Sequence, residues 1–309
     1  HDTRMDVMDA TIRWLVDLED NLFMIHAAGA RGTQQSTAWV VPLDSDSDFA
    51  AIAGQQQPTP PTRNRYSIPG GTATGLDNID TTCTLDLDFL TGIRAKINTS
   101  NVPLSPVSST QLNGNGAVNG NSQLLVGLLS EEQWMTLKTA TGDNSFTQMV
   151  LAANTRMDFN KHPAFADLER FLWAGILWFK CPRAIEFAQG ASAKQYNATT
   201  GALETVTVAQ RAHRGLVLGA QAIGVAYGDS NPPTSGARAG NGGTGTTSIL
   251  KSPYSWREDV RQGGGVIDIY GRMMGGYKKL VYSWPDPVTG TLTPFDNGVY
   301  AFDTYQAGL

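Results

Sequence analysis

A chain of 309 residues, 41% of them hydrophobic, can bury a sizeable core in one large domain or two smaller ones. Its net charge of −5 argues against a dedicated nucleic-acid binder, whose grip on phosphates comes from Lys and Arg. Its two cysteines, Cys83 and Cys181, exclude a disulfide framework, and no apolar run nears the ~20 residues of a membrane helix.

Charged residues make up 17%, below the roughly 25% usual for a soluble domain. A low-charge surface suits a protein that packs against copies of itself. Cys83 and Cys181 read as buried free thiols of a reducing compartment. No signal peptide is visible, and an opening His1 in place of Met leaves room for residues upstream.

The first expected element is an amphipathic helix from about Met5 to Ala28. Met8, Ile12, Leu15, Leu22 and Ile25 form its stripe, and Gly29 and Gly32 end it. Thr37–Leu43 reads as a strand, followed by a polar, Gln- and Pro-rich excursion over Asp44–Asn64 and a short strand at Arg65–Ile68. An excursion with so few apolar residues has no core of its own and must rest on something else.

Leu85–Ile97 is expected to be helical, with Leu85, Phe89, Ile93 and Ile97 on one face. Its acids Asp86 and Asp88 and its bases Arg94 and Lys96 lie at the ends the helix dipole favours. Pro103 and Pro106 close it. After a turn-prone run, Gln111–Ser122, comes a buried strand at Leu124–Leu129. Ser130 then caps a helix, with Gln133 as its capping-box partner and Trp134 and Leu137 on its apolar side.

His162–Pro163 opens another helical piece, and Trp173–Phe179 reads as a core strand. The aromatic cluster Phe171, Trp173, Trp178 and Phe179 lacks the interleaved cations of a base-stacking platform. Gln210–Tyr227 is expected to be a helix of small and apolar residues, and Asp229–Ser248 a loop. The chain then finishes in a sheet with strands at Val266–Arg272, Lys278–Ser283 and Asn297–Asp303, which earlier segments cover.

No constellation supports catalysis. Gly240, Gly242 and Gly245 fit a dinucleotide fingerprint, but they lie in a low-complexity loop without the strand and helix the motif needs. Gly228–Asp229–Ser230 resembles a hydrolase motif, yet the last histidine, His213, precedes the serine, the reverse of the required order. His1, His26, His162 and His213 show no metal-ligand spacing. Glu131–Glu132 read as acids at a helix N-terminus and Glu258–Asp259 as salt-bridge partners. No cofactor is expected.

Two stretches carry a resemblance. One is GLVLGAQAIGVAYG over 215–228. The other runs from Trp256, Glu258 and Asp259 through Tyr270, Gly275, Gly276, Lys278 and Lys279 to DNGVYAFDT. Together with WLVDLEDNLFMIHAAGARG (Trp14–Gly32), VPLSPV (Val102–Val107) and LLVGLLSEEQWMTLK, they resemble the major capsid proteins of N-four-like tailed bacteriophages, of the Hong Kong phage-type capsid fold. The loops Asp44–Asn64, Asn113–Asn121 and Asp229–Ser248 do not match that pattern.

The resemblance implies an α+β fold with a spine helix, peripheral and axial subdomains, an extended hairpin loop and an N-terminal arm. It divides the chain into an arm at 1–36, a reaching hairpin at 37–75, a peripheral subdomain at 76–125 plus 285–309, and an axial subdomain at 126–284. It implies a non-enzymatic role. Copies would form hexamers and pentamers of an icosahedral shell around double-stranded DNA, assembled in the host cytoplasm and joined by scaffold, portal or decoration proteins. Trp14, Phe23, Trp39, Tyr66, Trp256, Glu258, Asp259, Lys278 and Lys279 are the expected inter-subunit contacts. The alternatives are a Ser-dependent hydrolase with its site at Ser230, and a shell protein of a non-viral compartment.

Overall fold

The computed structural model describes residues 3–32, 58–70, 72–100, 102–107, 124–139, 170–227, 254–261, 266–273, 275–285 and 292–307. The expected strand at Thr37–Leu43, the helical piece at His162, the Gly228–Ser230 motif and the loop glycines from Gly240 lie outside them.

Everything is arranged around one buried strand, β8 (Ala212–Leu218). Along one side it pairs antiparallel with β15 (Val299–Tyr305) over its full length. Its other side is shared. Ala212–Arg214 pair with β5 (Ile185–Phe187), and Leu216–Leu218 pair with β2 (Leu125–Leu129). Beyond β2 lie β4 (Ile176–Lys180), parallel to it, and β3 (Arg170–Trp173); beyond β15 lies β1 (Tyr66–Ser67).

The pleat sends alternate side chains into two different cores. Leu216, Val299 and Ala301 point to one side, where they meet Met24, Ile25, Ala27 and Ala28 of helix α1 (Thr3–Ala28). Val217, Tyr300 and Phe302 point to the other. There they meet Leu90, Ile93 and Ile97 of helix α2 (Leu87–Thr99) and Trp134 and Leu137 of helix α3 (Glu131–Thr139). The sheet is thus the middle layer between helices. A strand buried on both faces reads as a continuous apolar run.

That double burial corrects the helix expected over Gln210–Tyr227. The segment forms β8 and, after a turn at Gln221, β9 (Ile223–Tyr227). Its small residues signal close packing in a sheet: a Cβ on Gly215 would sink into the Phe302 ring on the neighbouring strand. Trp173–Phe179 is likewise not one strand. Ala174 and Gly175, both with positive φ, turn β3 back into β4 as a tight hairpin.

The expected C-terminal sheet is also corrected. Its three strands lie in different sheets. β11 (Val266–Met273) forms a hairpin with β10 (Tyr254–Arg261). Lys278–Ser283 is split at Leu280 into β12 (Gly275–Lys279), which pairs with β9, and β13 (Val281–Pro285), which pairs with β14 (Leu292–Asp296). Only β15 belongs to the central sheet. A further hairpin, β6 (Ser192–Tyr196) and β7 (Leu203–Thr207), completes the described strands.

Other expectations hold with small shifts. α2 starts two residues later than expected, because Asp86 is its N-cap and its carboxylate accepts the Phe89 N–H at 2.6 Å. The capping box forms as read: Ser130 N–H donates to Gln133 Oε1 at 2.9 Å, and Gln133 N–H to Ser130 Oγ at 3.1 Å. On α1, Leu15 and Ile25 of the expected stripe are buried but Ile12 is 43% exposed.

Candidate assembly surfaces and the charged core

The charged residues of the core sort into three centres. In the first, the Arg214 guanidinium grips both Asp303 oxygens, at 2.7 and 2.6 Å, and donates to the Ala28 carbonyl at 2.9 Å. The Tyr66 hydroxyl donates to the same Asp303 at 2.5 Å. One set of contacts therefore ties the end of α1 to β1, β8 and β15. Burial works against the Arg214 charge, but attraction and hydrogen bonding by Asp303 outweigh it and hold its pKa above the ordinary value. Burial, reinforced by Asp303, keeps the Tyr66 hydroxyl protonated.

The second centre joins the start of the described segment at 58 to the β13–β14 hairpin. Lys279 Nζ donates to Asp296 at 2.8 Å and to the Pro60 carbonyl at 3.1 Å. Thr62 N–H also reaches Asp296 at 3.1 Å, and Arg65 donates to the Asp296 and Val102 carbonyls while lying over the Phe295 ring. Burial pushes Asp296 up and Lys279 down, and the attraction between them opposes both shifts. Burial also lowers Arg65, to about 10.

The third centre surrounds His213. Its Nδ1 lies 2.8 Å from Ser130 Oγ, and its Nε2 lies 3.6 and 3.7 Å from Glu132 and Glu186. Arg211 bridges those two acids at 2.7 Å each. Gln133 reaches past its cap to the His213 carbonyl at 3.0 Å and Thr304 Oγ1 at 2.9 Å. The Ser–His–acid grouping looks like hydrolytic machinery, but Ser130 Oγ is buried and accepts a backbone N–H as a helix cap. The expected pairing of Glu131–Glu132 as helix-start acids holds, with Glu132 also serving this bridge.

The nine expected contact residues fall in unlike places. Trp14 is 49% exposed on α1 and Phe23 is half-buried. Lys278 is exposed on β12, whereas Lys279 beside it is consumed inside the chain by Asp296. Tyr66 also spends its hydroxyl internally, on Asp303. Trp256, Glu258 and Asp259 lie on β10, opposite Gly271, Ile269 and Asp268 of β11. Trp39 is outside the described residues. Sequence reasoning missed Tyr282, Trp284 and Leu292, exposed on the β13–β14 hairpin. The signal was available as bulky apolar residues beside the sequence Pro–Asp–Pro–Val–Thr–Gly. A groove of about 360 Å³ adjoins that hairpin, lined by Arg63, Tyr196, Thr199, Leu292 and Pro294.

Among the described residues, no cluster of three or more His, Cys, Asp or Glu fits a metal, and no helix is long and apolar enough to cross a membrane. Cys83 and Cys181 are free thiols, the first buried and the second partly so, and burial raises the pKa of both.

A sequence model of the family described as phage capsid protein matches residues 1–307. The chain belongs to the phage capsid protein family. Its function is structural, not enzymatic, and it is a component of the virion shell. The capsid of Ralstonia phage GP4 is similar in fold over 100% of this capsid chain and 68% of that one, with a TM-score of 0.65 and 20% identity. The capsid asymmetric unit of cyanophage Pam1 matches over 80% of this chain and 55% of that one, with a TM-score of 0.46 and 13% identity. No curated protein matches the sequence.

Proposed function

We propose that this capsid chain is the major head protein of a tailed phage, and that many copies build an icosahedral shell from hexamers and pentamers around double-stranded DNA. The observation that carries the reading is a family match over residues 1–307. The low-charge surface and exposed aromatic residues support it, because repeated obligate interfaces bury large apolar areas, on the order of 2,000–5,000 Å².

The Hong Kong phage-type organisation is part of the proposal. α2 is the spine helix, 1–36 the arm and 37–75 the reaching hairpin. The peripheral segments, 76–125 plus 285–309, and the axial segment, 126–284, meet along the β15–β8 pairing, which serves as their seam. Assembly takes place in the host cytoplasm, with scaffold, portal or decoration proteins as partners. The net charge of −5 suits a wall that lies beside packaged DNA without trapping it.

Light scattering and negative-stain imaging of the purified protein test the reading. Closed shells or free hexamers and pentamers are the expected result. A species that stays monomeric at high concentration, with and without the phage's scaffold, overturns it.

A further inference from the structure

Lys279 and Asp296 meet in surroundings that offer fewer polar partners than an ion pair needs. Lys279 ends β12 and Asp296 ends β14, and their side chains are 1% and 0% exposed. Lys279 Nζ lies 2.8 Å from Asp296 Oδ2 and donates also to the Pro60 carbonyl at 3.1 Å. The same Oδ2 accepts the Thr62 N–H at 3.1 Å, and Thr62 Oγ1 accepts the Asp296 backbone N–H at 3.2 Å, so the aspartate is held from both ends. Asp296 Oδ1 is buried and has no hydrogen bond among the described residues.

An ammonium group carries three donors and a carboxylate two oxygens that accept. Here one donor and one whole oxygen are left over. A buried acceptor without a partner is costly, and a charged one more so. An amide between the two side chains would fit the same surroundings with nothing left over. Its single N–H would keep the Pro60 carbonyl and its single oxygen the Thr62 N–H, while Oδ1 and both charges would be gone. Burial favours the uncharged amine and the uncharged carboxyl, the forms in which the two can react, although their mutual attraction opposes it.

We propose that Lys279 Nζ and the Asp296 carboxyl group join within one chain as an isopeptide bond. A proton first passes from the ammonium to the carboxylate, leaving a neutral amine beside a carboxyl group protonated on Oδ1. The Nζ lone pair attacks Cγ and forms the C–N bond. Negative charge gathers on Oδ2, where the Thr62 N–H already donates. A proton from Nζ passes to Oδ1, the Cγ–Oδ1 bond breaks and Oδ1 leaves as water. One amine and one carboxylic acid give one amide and one water, and nothing is oxidised or reduced. The bond ties the β13–β14 hairpin, a separate two-stranded sheet of a kind that is marginal alone, to β12 and through it to β9. The step concerns a single chain and does not depend on how copies assemble.

Mass spectrometry of the full folded chain, denatured only for the measurement, tests it. The wild-type mass should fall short of the sequence mass by one water. Trypsin should fail to cut after Lys279. No Lys or Arg follows that residue, so the C-terminal peptide should begin at Lys279 and lack one water. Its fragment spectrum should show no backbone break resolved between Lys279 and Asp296, since the ring holds the pieces together. Lys279→Arg keeps a positive charge but has no amine to attack, and should restore the full mass. A wild-type chain of full mass that trypsin cuts after Lys279 overturns the bond and leaves an ion pair. A missing water that persists in Lys279→Arg also overturns it, because the water was then lost elsewhere.

Discussion

Arg214 on β8 and Asp303 on β15 sit directly opposite each other in the strand register and join through two hydrogen bonds at 2.7 and 2.6 Å, fully buried. Strands with one charge apiece in otherwise apolar surroundings can align only where the charges meet, so the pair fixes register as well as adding attraction. Removing one partner leaves the other as an uncompensated buried charge, which costs about 3–5 kcal/mol. Arg214→Met is expected to lower folding stability by that amount in urea titrations. A loss under 1 kcal/mol would mean that the pair contributes little.

Gly215 lies in the same strand, under the Phe302 ring. Gly215→Ala forces that ring to move and is expected to cost about 1–3 kcal/mol through overpacking. Adding Phe302→Leu should recover part of the loss, and a thermal-melt comparison of the single and double variants checks it. An additive double variant would show that the two residues do not compete for the same space.

The capping box of α3 does more than end a helix, because Gln133 also bonds the His213 carbonyl and Thr304. Ser130→Ala removes the cap and should cost about 1 kcal/mol. Gln133→Ala strands polar groups on three elements and should cost more, about 2–3 kcal/mol. Equal losses in chemical denaturation would reduce Gln133 to a simple capping partner.

Burial lowers the pKa of both His26 and His213 below the ordinary 6.5. Above 6.5 both are neutral in folded and unfolded chains alike. Below it the unfolded chain takes up protons that the folded chain refuses, so stability falls as pH drops through 6.5 towards the folded values. Each histidine contributes a slope of at most about 1.4 kcal/mol per pH unit. His213→Gln should flatten the fall between pH 6.5 and 5 relative to wild type. An unchanged slope would exclude His213 as a source.

What the sequence disclosed depended on whether a signal was local. The Ser130–Gln133 box and the Asp86 start of α2 are written within four residues each, and both stand close to where they were read. β8 was misread because a strand buried on both faces has no alternation to show, and its glycines looked like helix-packing residues when they make room for Phe302. The C-terminal strands were found, but their partners were not: β12 pairs with β9 and β15 with β8, across loops whose length the sequence alone does not translate into contacts. Lys279 was expected at a subunit boundary because it lies in the C-terminal stretch that carries the family resemblance. Its partner Asp296 is the last residue of β14, across the hairpin, and only the folded chain brings the two together.

The place of β15 in the sheet bears on how the protein is made. β8 has one flank filled entirely by β15, and β15 also supplies Tyr300 and Phe302 to one core and Val299 and Ala301 to the other. A chain still on the ribosome lacks that strand until residue 305 has emerged, so neither core can close and Arg214 has no counter-charge. Folding is thereby postponed until synthesis has passed this point, as the non-local pairing of β8 with β15 demands. In a shell built as proposed, such a delay would keep half-made neighbours from joining before each has its finished surface.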